Sequence, residues 1–365
     1  MSENRHTAED LKHYQSLPLD LKITMTKQRI REWLKEFGNE GVYVSFSGGK
    51  DSTVLLHIVR QMEAEEAEMA AQFGFDPQPP IPAVFVNTGL EYPEIQKFAM
   101  SQPGVATLRP EMRFDEVVKR YGYPVISKEV SQTVCEAKKN AATGKYSYRI
   151  KKLNGEDTDK DGNPSSYNIP QWKFLLDAPY DISHKCCDVM KKNPAKKYEK
   201  ETGRKPIIAT MADESRLRYS KWLRFGCNAF EQKRQTSQPM SFWTEQDVLH
   251  YLKTYNVPYC SVYGEIVIDD QPEIEGQMNA IDYLGCYEPG DKLKTTGCDR
   301  TGCIFCMFGC HLEKEPNRFQ RLKETHPRQY KYCIGGGEMV DGKWQPSKEG
   351  LGLGKVLDYI GVKYE

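Results

Sequence analysis

The chain has 365 residues, 39% hydrophobic and 28% charged, and its 51 basic and 51 acidic side chains cancel to a formal net charge of zero. That length fits about two ordinary domains, or one large core with additions. The balanced charge excludes a global field steering the molecule toward nucleic acid or an anionic membrane. No apolar run approaches the roughly 20 residues of a membrane span, so no membrane partner is expected. The opening residues, MSENRHTAED, carry no signal-peptide core and no transit pattern, which predicts a cytoplasmic protein. In that compartment the eleven cysteines suit metal or redox chemistry better than disulfides. Cys135, Cys227 and Cys260 stand alone and read as small core residues.

In chain order, residues 20–38 place Leu21, Ile23, Ile30, Trp33, Leu34 and Phe37 at mostly helical spacing and stop at Gly38. This helix belongs to an N-terminal extension, residues 1–40. Gly41–Phe46 is a short β-rich run, and a helix follows from Asp51 to about Glu66 with Val54, Leu55, Ile58, Val59 and Met62 inward. Ala83–Val86 is a second apolar run, followed by a helix after Pro93, and Val105–Leu108 is a third. Helices are expected over 127–142 and 188–202, and Ile207–Ala209 is the fourth run. Strands alternating with helices predict an α/β fold, a parallel sheet with helices on both faces. Its ligands would sit at the carboxyl ends of the strands. Residues 143–170 read as an inserted hairpin or loop. After residue 262 Gly, Pro, Cys and charges dominate, so a boundary is expected there, between an α/β domain over 41–262 and an irregular, Cys-rich segment over 263–365.

Charge is uneven within this frame. Lys185–Lys205 holds eight basic against three acidic residues, Lys138–Lys152 six against none, and Glu265–Asp291 eight acids with no Lys or Arg. Such runs fit a polyphosphate or nucleic-acid groove, although runs of this kind are usually just solvated faces. Tyr146, Tyr148 and Tyr167, interleaved with Lys and Arg, suit base stacking or an ordinary β-hairpin. Asp157-x-Asp159-x-Asp161-Gly162 imitates a calcium loop, but the twelfth position is Asn168, so a polar turn is the better reading. Gly350-x-Gly352-x-Gly354-Lys355 reads as a flexible turn.

The strongest chemical signal is Val-Ser-Phe-Ser-Gly-Gly-Lys-Asp-Ser-Thr, from Val44 to Thr53. A strand runs straight into Ser47-Gly48-Gly49, and a helix opens at Asp51-Ser52. Two glycines let backbone N–H groups turn onto an anion. The helix N-terminus adds free donors and partial positive charge, Lys50 a full charge, and Ser47 and Ser52 hydroxyls. The order differs from a Walker loop. A second signal is the adjacent pair Cys186-Cys187 with Cys303-x2-Cys306 downstream. Cys-x2-Cys puts two thiolates on one tight turn, able to grip one metal or two corners of a cluster. An adjacent pair suits a cluster better than zinc, whose sites favour two separated knuckles; zinc remains the alternative metal. Cys286, Cys298 and Cys310 crowd the same stretch, with Cys298 and Cys310 in reserve as ligands.

The loop resembles that of the PP-loop ATP pyrophosphatase superfamily, and further stretches narrow the resemblance to the phosphoadenosine-phosphosulfate (PAPS) reductase family. These are Val86-Asn87-Thr88-Gly89 with Glu91-Tyr92-Pro93-Glu94, where Asn87 replaces the family's Asp; Asp213-Glu214-Ser215 with Arg218; Trp243-Thr244 with Asp247-Val248; and Tyr255-Asn256-Val257-Pro258-Tyr259. The resemblance implies an adenine nucleotide alpha hydrolase-like fold. It also implies a nucleotide site of Ser45, Ser47, Gly48, Gly49, Lys50, Asp51, Ser52, Asn87, Thr88, Gly89, Glu214 and Ser215, binding ATP, or APS or PAPS. Lys50, Asp51 and Arg218 would be catalytic, with Asp51 helping to hold Mg²⁺. The cysteine arrangement is similar to that of APS reductases and implies a [4Fe–4S] cluster on Cys186, Cys187, Cys303 and Cys306. The reductases' C-terminal Glu-Cys-Gly-Leu-His has no counterpart in the last residues given, and Thr210-Met211-Ala212 stands where they carry Arg.

These departures favour ATP-dependent adenylation with pyrophosphate release, coupled to sulfur transfer, as in the branch of this family that includes the DNA phosphorothioation protein. A sulfur-donor protein and a nucleic-acid acceptor are then the expected partners. A true sulfonucleotide reductase using a thiol from Cys310, Cys333 or a partner, and a non-catalytic nucleotide-binding component of a nucleoprotein assembly, are the alternatives.

Overall fold

Strand β1 (Val42–Phe46) is buried at all but one position, as a strand covered on both faces must be. In the computed structural model, which describes residues 4–144, 146–269 and 291–365, β1 lies inside a six-stranded sheet. It pairs in parallel with β2 (Ala83–Val86), and β2 pairs in parallel with β3 (Val105–Leu108). On its other side β1 pairs in parallel with β4 (Lys205–Ile208), Val44 standing opposite Ile207. Two further strands, β5 (Asn228–Ala229) and β6 (Thr236–Ser237), extend that side. Strand β6 runs parallel to β4, and β5 runs antiparallel at the edge. At two residues each they are too short to show a period in the sequence. The fold is α/β with a mostly parallel sheet flanked by helices, as expected.

The order β3-β2-β1-β4-β6-β5 positions the site. The chain moves from β1 outward to β3 and then returns to the opposite side of β1. The direction of winding therefore reverses between β1 and β4, and ligands of open α/β sheets bind beyond the carboxyl ends at such a reversal.

The helices are α1 (Ala8–Gln15), α2 (Leu19–Phe37), α3 (Lys50–Phe73), α4 (Pro93–Ser101), α5 (Phe114–Tyr121), α6 (Lys128–Ala142), α7 (Tyr148–Asn154), α8 (Asn193–Thr202), α9 (Arg216–Phe225) and α10 (Glu245–Thr254). Ile30 and Trp33 of α2, Val54, Leu55, Ile58 and Val59 of α3, and Val248 and Leu252 of α10 join the strands in one buried cluster. At roughly 1.5–3 kcal/mol for each fully buried large apolar side chain, this cluster supplies the main force holding the sheet and its helices together.

The described residues fall into two compact units. One comprises residues 1–87, 91–108 and 195–301, and the other 88–90, 109–194 and 302–365. The units interleave along the chain, so helices α5, α6 and α7 belong to the second. The Tyr146–Tyr148 stretch forms no β-hairpin: Tyr148 opens α7, whose Leu153 is fully buried. The aspartates beyond it do form a polar turn. The Asp159 carboxylate accepts the N–H groups of Asp161 and Asn163, both at 2.9 Å, and Thr158 bridges Pro164 in antiparallel fashion. The helix expected over 188–202 begins instead as a π-helical turn, Asp188–Lys192, and becomes α8 only at Asn193.

Downstream, β7 (Ile266–Ile268) pairs antiparallel with β8 (Leu293–Thr295). Cys286 and most of the acidic run lie outside the described residues. Irregular chain from 296 onward gives way to α11 (Arg318–Thr325), α12 (Pro327–Ile334), the hairpin of β9 (Glu338–Val340) and β10 (Lys343–Gln345), and α13 (Leu353–Tyr359). The glycine-rich stretch before α13 is no loose turn. Gly350, Leu351 and Gly352 are buried, and the Gly352 carbonyl accepts the Trp344 indole N–H at 2.8 Å. Among the described residues no helix is long and apolar enough to cross a membrane.

Candidate functional site

The loop leaves β1 at Phe46 and enters α3 at Lys50, so Ser47-Gly48-Gly49 crosses the carboxyl edge of the sheet beside the winding reversal. Gly48 takes φ +75°, which favours glycine, and a Cβ there would meet Ile95 and Ala99 at 3.1–3.2 Å. The loop is knotted by its own hydroxyls. The Ser52 hydroxyl donates to the Gly49 carbonyl (2.9 Å) and accepts the Ser47 N–H (3.1 Å), and the Ser47 hydroxyl accepts the Gly49 N–H (3.3 Å). Lys50 is only 5% exposed, and its ammonium donates to Glu245 at 2.9 Å. It also lies 5.2 Å from the centre of the Tyr263 ring, a cation–π distance. Ser45 lies within β1, between Val84 and Ile208 of the neighbouring strands.

The segment after β4 brings the second set of residues to the same edge. A short 3-10 turn, Ala212–Glu214, precedes α9, whose N-cap is Ser215 accepting the Arg218 N–H. Glu214 accepts the Met211 N–H at 2.9 Å, pairs with the Arg218 guanidinium, and accepts a 2.8 Å bond from Arg300. Asp213 is taken up by Gln15 of α1 at 2.6 Å. Burial pushes the Asp51 carboxyl up. Lys50, Arg300 and Arg218 pull it back down, and Glu245 adds to the rise. Burial and Arg300 together lower Arg218 from its ordinary value. Three cations and three carboxylates thus share one partly desolvated place, where charge interactions act more strongly than in water.

Asn87, at the end of β2, is buried, with its amide oxygen accepting from Gln96 at 2.8 Å and its nitrogen facing the Met100 sulfur. Thr88 and Gly89 belong to the second unit, where the Thr88 hydroxyl accepts the Leu90 N–H.

Four residues near the loop carried no sequence signal as site members. The Tyr263 hydroxyl accepts the Lys50 backbone N–H at 3.3 Å and bonds the Thr301 hydroxyl. Glu245 and Arg300 hold the charge contacts just described. Glu245 lies inside the recognised Trp243–Val248 stretch, Tyr263 just past the Tyr255–Tyr259 stretch, and Arg300 and Thr301 inside the cysteine run; those positions were hints, without a role attached.

In the second unit the Cys186 thiol is pushed up by its bond to Cys187, by burial, and by the charges of Cys187, Cys303 and Cys306. Cys187 is pulled down to about 6, chiefly as the partner in that bond, with Lys191 and Lys128 assisting. The four thiols therefore sense one another. Among the described residues no three metal-ligating side chains already converge on one point. Thiolates are ligands for thiophilic metals, so a metal there would need these side chains to turn toward one point. Cys310 is buried, its thiol donating to the Met307 carbonyl at 3.0 Å. Cys298 belongs to the first unit, where its charge acts on Cys260.

No curated protein matches the sequence. Among solved structures, a crystal structure of Candida glabrata FMN adenylyltransferase in complex with FAD and inorganic pyrophosphate is 12% identical with a TM-score of 0.37. The likeness covers 69% of this chain and 65% of that one, just under two thirds of its length, and is too low to carry substrate or mechanism. Residues 41–307 match the phosphoadenosine phosphosulfate reductase domain. That match takes in the sheet, the loop and the cysteine run through Cys306, and the chain belongs to the phosphoadenosine phosphosulfate reductase family.

Proposed function

We propose that the chain binds ATP on the Ser47–Ser52 loop and transfers its adenylyl group to an oxygen-bearing acceptor, releasing pyrophosphate and preparing that oxygen for replacement by sulfur. The observation that carries this reading is the gathering of Lys50, Arg218 and Arg300 about Asp51 at the carboxyl edge of the sheet. An acceptor oxygen attacks the α-phosphorus, the α–β bridging bond breaks, and negative charge grows on the departing pyrophosphate. Lys50 and Arg218 would offset that charge, and the N-terminus of α3 would add its partial positive charge. Asp51, whose carboxyl resists ionisation in its buried setting, gains most by facing a divalent cation and would help to hold Mg²⁺. A sulfur nucleophile then displaces AMP, and the sulfur comes from a donor protein. The acceptor we favour is a nucleic acid.

Cys186, Cys187, Cys303 and Cys306 would hold a [4Fe–4S] cluster, with zinc as the alternative metal. Such a cluster supplies a site that receives or carries sulfur, or a structural tie.

The reductase reading needs an accessible thiolate in line with a sulfonate sulfur. The two thiols of this chain considered for it, Cys310 and Cys333, are buried at 1% and 0% exposure, so a partner would have to supply it. Burial raises both, Cys310 to about 12, which leaves little thiolate near neutrality. The deciding experiment incubates the protein, made anaerobically, with ATP and candidate acceptors, and in parallel with APS or PAPS plus thioredoxin. Acceptor-dependent pyrophosphate is expected, without sulfite. Sulfite release without pyrophosphate would make the protein a reductase.

A further inference from the structure

The geometry points to Arg300 and the hydroxyl pair Tyr263–Thr301 as members of the nucleotide site, acting on the β- and γ-phosphates rather than on the nucleoside. This rests on the reading of the loop as an ATP site and deepens it, because the three residues lie outside the recognised motifs and come from the segment that follows the sheet.

Three observations converge. First, the Tyr263 hydroxyl stands over the first peptide of α3. It accepts the Lys50 N–H at 3.3 Å and would lie 3.2 Å from a Cβ added at Gly49, with the Thr301 hydroxyl 3.7 Å from the same point. A phosphate oxygen approaching the helix N-terminus would seek the same backbone donor. Such an oxygen could replace the phenol as acceptor and receive O–H bonds from both hydroxyls. Second, Tyr263 is buried and Thr301 is its bonded partner, so the pair is held in place without any ligand. Third, Arg300 is 65% exposed at its side chain and reaches Glu214, and it acts electrostatically on both Asp51 and Arg218. An exposed guanidinium that shares Glu214 with Arg218 offers a planar donor fork that matches a phosphate edge. Lys50 and Arg218 have carboxylate partners of their own, Glu245 and Glu214, so a polyphosphate chain would exchange those carboxylates for phosphate oxygens. A third cation would favour that exchange for a triphosphate more than for a monophosphate.

The test compares ATP and AMP by calorimetry on the unsubstituted chain and on Arg300→Ala, Arg300→Lys, Tyr263→Phe and Thr301→Val, with Lys50→Ala as the reference for the loop. Arg300→Ala should weaken ATP about ten-fold, the fold-change of one charge-assisted hydrogen bond partly screened by water, and leave AMP within about two-fold. Arg300→Lys should recover part of the loss. Tyr263→Phe and Thr301→Val keep the shape of each side chain and should each weaken ATP several-fold while leaving AMP within about two-fold, with only the small loss of melting temperature that a missing buried hydrogen bond brings. Unaltered ATP affinity in all four variants, while Lys50→Ala loses it, overturns the assignment and spares the loop. Equal losses for ATP and AMP also overturn it, since the residues would then be supporting the fold. Failure of ATP to bind the unsubstituted chain, or wild-type affinity in Lys50→Ala, removes the loop reading itself.

Discussion

The two loop glycines answer different demands, and substituting each separates folding from binding. Gly48 needs its positive φ and is pressed by Ile95 and Ala99. Gly48→Ala should therefore destabilise the protein by about 1–2 kcal/mol for the left-handed backbone alone, with the Cβ contacts adding to it. Gly49 has an ordinary φ of −79°, and an added Cβ meets chiefly the Tyr263 and Ser47 hydroxyls. Gly49→Ala should leave the urea midpoint nearly unchanged and weaken ATP, because the methyl occupies space a phosphate must enter. If both variants lose stability equally, the distinction fails. Asp51 gives a second test. Its carboxyl is pushed up by burial, so its ionised form is disfavoured in the folded protein. That penalty is absent below the usual carboxylate range, grows as pH rises through the unfolded and then the folded value, and is fully present at neutral pH. Asp51→Asn should accordingly raise the melting temperature at pH 7 and lose that advantage as pH falls toward 4, while impairing Mg²⁺-dependent ATP binding. An equal gain at both pH values would assign the effect to something other than this charge. The loop was legible because its residues are contiguous and its turn into the helix is set by local geometry alone. Tyr263 and Glu245 were not, because they reach Lys50 across 213 and 195 residues, and only the folded sheet brings them there.

Among the elements, legibility followed length and burial. Strands β1 to β4 stood out as apolar runs between turn residues, and α2, α3 and α6 as long periodic segments. Strands β5 and β6 are fixed by pairing and not by their own composition, and α7 hid in a stretch whose tyrosines suit a strand equally well. Helices α11 to α13 run only seven or eight residues each, between Gly and Pro, too short for an amphipathic stripe to register. One of them carries a prediction. Cys333, near the end of α12, is fully buried, and burial alone raises its thiol. It behaves as a small core hydrophobe, so Cys333→Ser should cost about 1–3 kcal/mol by burying a hydroxyl without a partner. In the folded protein it should resist iodoacetamide, and denaturant should expose it. Rapid alkylation in native buffer would contradict this core role and return Cys333 to candidacy as a nucleophile.

At the scale of the whole molecule, one of the five covalent crossings between the two units joins the residues proposed for phosphate to those proposed for a metal. Arg300 and Thr301 end the stretch 195–301 of the first unit, and Gly302 leads directly to Cys303 in the second. If Cys303 is a ligand of a metal or cluster, binding there fixes the backbone of a residue two positions from the Thr301 hydroxyl. Ordering one residue costs about 1–2 kcal/mol, and a segment already ordered by the metal spares the nucleotide part of that cost. The two events should therefore be coupled with positive sign. Protein made anaerobically is expected to be brown, with about four irons per chain. Cys303→Ser and Cys306→Ser should lose the colour, whereas Cys135→Ser and Cys227→Ser should keep it. Removing the metal with a chelator should weaken ATP about ten-fold, equivalent to roughly 1.4 kcal/mol, and disturb AMP less, since Arg300 and Thr301 are assigned to the outer phosphates. Coupling between binding equilibria is reciprocal, so saturating ATP must slow or oppose loss of the metal to the same chelator. A metal-free protein that binds ATP as tightly as the loaded one would break the link between the cysteine run and the nucleotide. The loop and the thiols would then be independent sites that share a chain.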